Sequence, residues 1–154
     1  MELEYKVEGL DSLLNKLNTL GVDTDKIVNK ALHQGAQKIQ SEAKRNIRAK
    51  QIFDTGELFR SISVEQIPKG YAVGTNLQHG VYNEFGTGLK GDPSVPHTAR
   101  KYWRYRDENG NWHTSTGMKA RPFLRPAFNA NKRYVSKLVR SRLLGVLQQK
   151  MSGG

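Results

Sequence analysis

Gly117-Met118-Lys119-Ala120-Arg121-Pro122-Phe123-Leu124-Arg125-Pro126-Ala127-Phe128 is the stretch on which the reading of this chain turns. Proline fixes φ at about −65° and carries no backbone donor, so Pro122 and Pro126 stiffen the segment. Proline is well tolerated at a first helical position, and Pro126 marks the start of a C-terminal helix over 126–150. Phe123, Leu124 and Phe128 supply large apolar anchors for that helix. No acid or nucleophile lies within the stretch, so it reads as a buried, proline-stiffened helix start and not as a catalytic segment. In the helix itself Phe128, Val135, Leu138, Val139, Leu143 and Val146 share one apolar face, with Arg133, Lys137 and Arg140 opposite.

Working outward, 23–49 is the other long helix. Asp23 or Thr24 can cap it, and Val28, Leu32, Gly35, Ile39, Ala43 and Ile47 recur at three- and four-residue steps. Ala31, Gly35, Ala36 and Ala43 are small enough to admit another element closely. Lys30, Lys38, Lys44, Arg45 and Arg48 fall on its exposed side, and a basic C-terminal half suits the helix dipole. Before it, residues 2–8 alternate with Leu3, Tyr5 and Val7 on one face, the pattern of a half-buried strand. Leu10 to Leu20 follows as a leucine-spaced helix, capped by Asp11 or Ser12 and ended by Gly21.

Between the long helices, Asp54-Thr55-Gly56-Glu57 opens a short helical segment through Phe59. Strands over 61–66 and 71–75 flank a Pro68-Lys69-Gly70 turn and predict a hairpin. His79 to Phe85 predicts a short helix that places Val81, Tyr82 and Phe85 against the sheet. Residues 86–119 are rich in glycine, proline, serine and threonine. Within them Tyr102–Arg106 and Asn111–Thr114 flank Asp107-Glu108-Asn109-Gly110, and Asn-Gly between alternating runs predicts a type I′ hairpin. The fold class is therefore α+β: a small antiparallel sheet packed against two long helices, with a protruding β-hairpin arm. Residues 1–154 read as a single domain, with 86–119 as an extended arm.

The chain has 154 residues, enough for one core, and only 36% of them are hydrophobic. It lacks cysteine, which excludes a disulfide scaffold and thiolate zinc sites. No apolar run is long enough for a membrane span. The N-terminus is acidic and mixed, unlike a signal peptide. The net charge of +11 is unevenly spread. Glu2, Glu4, Glu8, Asp11, Asp23 and Asp25 crowd the first part of the chain, whereas no acid follows Glu108. Such polarity suits DNA or the acidic face of a neighbouring subunit, and equally a solvated basic face.

Gly86-Thr87-Gly88-Leu89-Lys90-Gly91 matches the dinucleotide fingerprint G-x-G-x-x-G, but Pro93 and Pro96 follow where that fingerprint needs a helix. The glycines instead allow a close-packed turn. His33, His79, His97 and His113 have no metal-ligand spacing, and neither a nucleophile elbow nor a Walker loop occurs. No cofactor or metal is expected. The run Arg100-Lys101-Tyr102-Trp103-Arg104-Tyr105-Arg106 could grip a single strand of nucleic acid, but an ordinary hairpin strand has the same alternation.

The ordered pieces Gly9-Leu10 with its leucine helix, Asp54–Ile62, Val73-Gly74-Thr75, Tyr82-Asn83-Glu84-Phe85-Gly86-Thr87-Gly88 and Gly117–Ala127, with the closing helix, resemble the neck or tail-completion proteins of long-tailed bacteriophages, the gene-10-like family of lambdoid phages. The resemblance covers nearly the whole chain and varies most over about 89–116. It implies a non-enzymatic virion protein of a phage or prophage, acting in tail completion and head–tail joining. It also implies a homo-oligomeric ring around the DNA and tail axis, a hexamer by preference. Its partners would be other neck and tail proteins, with DNA in the lumen and neither a membrane nor a small-molecule substrate involved. Its location would be the head–tail junction of the virion, and the host cytoplasm during assembly. Candidate contacts with a subunit or partner are Tyr82, Glu84, Phe85, Trp103, Arg104, Trp112, Arg121 and Phe123. Arg133, Lys137 and Arg140 are the candidate basic face toward DNA or a partner. The alternative is a basic nucleic-acid-binding module.

Overall fold

Two long helices, α2 (Thr24–Ala49) and α5 (Leu124–Ser152), run antiparallel through the molecule. The computed structural model describes residues 9–52, 56–68, 70–95 and 102–153. Asn46 Nδ2 donates to the Phe123 carbonyl at 3.0 Å near one end of the pair, and Arg142 donates to Gln34 Oε1 at 2.9 Å toward the other. Between them the backbones come close. A Cβ built on Gly35 would lie 2.6 Å from Val135 Cγ2, so the expected small-residue contact is made against α5. Asp23 caps α2 as expected, accepting from the Lys26 N–H at 3.4 Å.

The core has two parts along this pair. At one end α1 (Asp11–Thr19) lays Leu13 and Leu17 against Ala31, Val139 and Leu143. Its cap is neither Asp11 nor Ser12. Leu10 occupies the N-cap with no side-chain hydrogen bond and is itself buried, so an apolar anchor fixes the start of this helix. At the other end Ile39, Ala43, Ile47, Ile52, Leu58, Ile62, Phe123, Leu124 and Ala127 form the second cluster.

Short elements close over that second cluster. α3 (Glu57–Ser61) starts from Gly56, and β1 (Ser63–Ile67) pairs antiparallel with β2 (Gly70–Gly74), Val64 opposite Val73. The sheet rests on α2, where Gln40 Nε2 donates to the Ile62 carbonyl at 2.8 Å and His33 stacks on Tyr71. The expected strand over 2–8, together with Asp54 and Thr55 of the expected turn, lies outside the described residues.

Helix α4 (Gln78–Phe85) turns the opposite face inward from the one expected. Gly80, Asn83 and Glu84 are buried, whereas Tyr82 is exposed and Val81 and Phe85 are half-buried. A side chain at 80 would strike Thr75 and Leu58, so glycine is what permits this approach. The Glu84 carboxylate is satisfied by the backbone leading into α5, whereas the Asn83 side chain donates to the His79 carbonyl and accepts from the Arg121 guanidinium.

The hairpin arm consists of β3 (Trp103–Arg106) and β4 (Trp112–Ser115), paired antiparallel with Arg106 opposite Trp112. Its turn is not type I′. Gly110 has φ +82° but Asn109 does not have positive φ, and Gly110 N–H donates to the Asp107 carbonyl at 3.0 Å. This is a three-residue loop with a glycine bulge, the next commonest solution for a hairpin. The molecule is thus α+β, with two small antiparallel two-stranded sheets and the long helices packed together. Among the described residues no helix is long and apolar enough to cross a membrane.

Candidate partner-contact site

Helix α5 starts at Leu124, not at Pro126, and the reason lies about forty residues upstream. The Glu84 side chain is fully buried. Its Oε2 accepts the N–H groups of Phe123 and Leu124 at 2.8 and 2.9 Å, and its Oε1 accepts the N–H of Arg125 at 2.8 Å. A helix leaves its first four N–H groups without intrahelical partners. Here one carboxylate takes three and Pro126, at the next position, has none to satisfy. A negative group is also favoured at this end by the helix dipole.

Arg125 locks the carboxylate from the side. Its Nε donates to Glu84 Oε1 at 3.0 Å, one terminal nitrogen to the Glu84 carbonyl at 2.9 Å and the other to Asp92 Oδ2 at 2.8 Å. The guanidinium lies 4.5 Å from the centre of the Phe85 ring. Burial works against the charge on Arg125, but hydrogen bonds from it to Asp92 and Glu84 outweigh that and raise its pKa. The hydroxyl and N–H of Ser94, at 2.6 and 2.9 Å, hold the Asp92 carboxyl well below the usual carboxylate range, and Arg125 adds to the effect.

The glycine-rich segment is the turn that this lock requires. The Asp92 N–H donates to the Phe85 carbonyl at 2.7 Å, closing 86–91 into a tight loop. Gly86 sits at φ +74°, where a Cβ would lie 2.5 Å from the Met118 carbonyl oxygen. Thr87 and Met118 pair as an isolated bridge, so the arm leaves the body between them. Trp103 then folds back, its ring within 2.9 Å of where a Cβ on Gly88 would stand.

The candidate residues therefore divide into three groups. Glu84, Phe85, Arg121 and Phe123 gather at the α4–α5 junction, where Arg121 donates to Asn83 Oδ1 at 2.7 Å. Glu84 and Phe123 are fully buried there, inside the chain's own core, and Tyr82 lies exposed on the outer side of α4. Trp103, Arg104 and Trp112 belong to the arm, Trp103 half-buried at its base and the other two exposed. Arg133, Lys137 and Arg140 are exposed on α5, away from both, and Lys137 and Arg140 line a surface depression with Ser141, Leu144, Gly145 and Gln148.

Sequence reasoning missed Arg125, Asp92 and Asn83. The signal for Arg125 was an arginine set between Leu124 and Pro126 at an apolar helix start, a position that calls for a buried acid. Among the described residues no group of histidines and acids could hold a metal ion. Nothing at the junction presents a free nucleophile with a base beside it. What the arrangement does chemically is fix one rigid corner from which the arm and the basic helix project.

No curated protein and no solved structure matches the chain. A family model described as "Bacteriophage HK97-gp10, putative tail-component" matches residues 11–86, from the first residue of α1 to the glycine that follows α4. The matched segment includes Glu84 and stops before the helix that Glu84 caps. Over residues 11–86 the chain is similar to the HK97 gp10-like family of bacteriophage tail components.

Proposed function

We propose that the protein is a structural, non-enzymatic component of the tail of a long-tailed phage or prophage. It acts in tail completion and head–tail joining as one subunit of a homo-oligomeric ring around the DNA and tail axis, a hexamer by preference. The match of residues 11–86 to a phage tail component carries this reading. The structure supports it with a rigid body, an arm that leaves between Thr87 and Met118, and a helix face bearing Arg133, Lys137 and Arg140. Arm and body together act as one domain, and the arm reaches a neighbouring subunit. The basic face looks toward DNA or an acidic ring of another neck or tail protein. The protein works at the head–tail junction of the virion, after assembly in the host cytoplasm.

Light scattering across protein concentration, with and without purified tail tubes, tests the reading. A discrete ring, formed alone or on tail tubes, is expected. A strict monomer that ignores tails but binds DNA, with an affinity falling steeply with salt, would replace the reading by a nucleic-acid-binding one. Reversing Arg133, Lys137 and Arg140 to glutamate is expected to block head–tail joining while leaving the far-ultraviolet circular dichroism unchanged.

A further inference from the structure

The charge on the two long helices is almost all of one sign. α5 has seven lysines and arginines and no acid along its 29 residues, and α2 has six against Asp25 and Glu42. Arg133 and Lys137 stand four residues apart on α5, and Lys137 and Arg140 three apart. Like charges therefore meet at the spacings where opposite charges would stabilise a helix. The repulsion is uncompensated: among the described residues none of these three, nor Lys38 or Arg142, pairs with a carboxylate. An ordinary solvated face mixes both signs.

The basic surface does not end with α5. Tyr134 is 42% exposed, and the Lys38 ammonium of α2 lies 3.9 Å from the centre of its ring. Lys137 stands about one turn from the same tyrosine on α5. Further along this flank Arg142 donates to Gln34 Oε1 at 2.9 Å, about one turn before Lys38 on α2. Exposed cations of both helices thus lie side by side. The levels of Tyr134 and Arg142 are about 12 Å apart along α5, and packed helix axes lie about 8–10 Å apart.

We infer that this two-helix face binds the sugar–phosphate backbone of duplex DNA, without regard to base sequence. The inference rests on the reading of Arg133, Lys137 and Arg140 as a contact face, chooses between its two partners and adds Lys38 and Arg142 to it. Lysine and arginine hold phosphate backbones as charges, through release of counterions, and need no fixed pocket. An acidic protein would call instead for an interface core rich in aromatic residues and poor in lysine. Here the large apolar side chains exposed among the cations are Tyr134 and Leu144, and Lys38 lies over the first. The two stand about 15 Å apart along α5, too far to form one apolar patch. Two rows of cations about 10 Å apart suit the strands that border a major groove about 12 Å wide better than a single line of phosphates.

The test titrates the full-length chain, across salt, against duplexes of unrelated sequence and against polyglutamate. The wild type is expected to bind the duplexes alike, with an affinity that falls steeply as salt rises. K38Q/R142Q is expected to weaken duplex binding at least about tenfold and to lower the slope of log affinity against log salt by about 2. K44Q/R48Q is the control. It removes the same charge from cations that lie over the Phe59 ring of α3, and it should keep the wild-type slope. Equal losses in the two variants would show that net charge alone attracts DNA and would overturn the inference. Binding to polyglutamate in preference to duplex also overturns it, and leaves the contact-face reading standing with an acidic protein as partner. Normal head–tail joining after reversal of Arg133, Lys137 and Arg140 instead sinks the contact-face reading and this inference with it. Circular dichroism and urea unfolding like those of the wild type confirm that lost binding is not lost folding.

Discussion

Glu84 and Asp107 are both carboxylates held by strong hydrogen bonds, and they do opposite kinds of work. Glu84 is buried and joins α4 to the start of α5, some forty residues away in the chain. Asp107 lies in the turn of the arm and binds partners no more than six residues away: the N–H groups of Asn109 and Asn111 and the ring of His113 at 2.6 Å. The first closes the tertiary structure. The second shapes a hairpin that touches the body chiefly at its base. Burial makes the difference, because a hydrogen bond removed from a dry site leaves unpaired groups with no water to replace it.

The largest effect that separates the two regions is expected at Glu84. Glu84→Ala strips partners from three backbone N–H groups and from the Arg125 Nε, leaving Asp92 as the carboxylate that still holds this guanidinium. Removing one member of a buried pair costs about 3–5 kcal/mol, and urea unfolding should show a loss of that size. Glu84→Gln keeps the shape and should fall between. A loss under about 1 kcal/mol for Glu84→Ala would mean that water enters the junction freely and that it is not the rigid corner described.

Next in size is Gly86→Ala. The residue has φ +74° and ψ −174°, and a Cβ there would meet backbone atoms of Met118, Ala120 and Gly91 at 2.5 to 2.9 Å. Backbone strain alone is worth about 1–3 kcal/mol, and the surrounding backbone cannot swing aside as a side chain can. Equilibrium unfolding should show a loss at or above the top of that range. For contrast, Gly110→Ala in the arm, also at positive φ, should leave global unfolding nearly unchanged, since the nearest atom to its Cβ is the flexible end of Arg106 at 3.4 Å.

Acid should sharpen the contrast further. The Asp92 carboxyl is depressed in the folded state, so its contribution is present above the unfolded-state pKa of about 3.9 and is lost as pH falls toward the folded value. Stability of the wild type should therefore decline below about pH 4. Asp92→Asn should be less stable at neutral pH and show a shallower decline. Parallel acid limbs in the two proteins would show that Asp92 contributes nothing to that decline.

The elements were legible where local pattern decides them. The stripe on α2, the Asp23 cap, the β1–β2 hairpin and the small residues facing α5 all follow from spacing within one segment. The junction was not, because its logic is distributed. Val81, Tyr82 and Phe85 look like the inward face of α4 by hydrophobicity alone. The helix instead buries Asn83 and Glu84, because donors from 121–125 await them. For the same reason Pro126 misled as the first residue of α5: Arg125 beside it calls for a buried acid, but the acid that extends the helix back to Leu124 is Glu84, about forty residues away. In the arm the strands were readable but the turn was not, since Asn109-Gly110 serves a bulged loop as well as a type I′ turn.

The smallest effect is expected at the exposed carboxylate. Asp107→Asn weakens the hydrogen bond with His113 and acceptance from the Asn109 and Asn111 N–H groups, all at a solvent-facing turn. The His113 hydrogen bond, and after it the Asn111 N–H, lower the Asp107 pKa, so the wild-type turn keeps its support from neutral pH down to about pH 4 and loses it below. Surface changes of this kind usually stay within about 0.5 kcal/mol, so global unfolding should be unmoved. The readout that separates the regions is amide exchange: amides of Trp103–Arg106 and Trp112–Ser115 should exchange faster in the variant, while those of α2 and α5 keep their rates. If both sets accelerate together, the arm unfolds only with the body, and it is part of the same cooperative unit as the Glu84 junction.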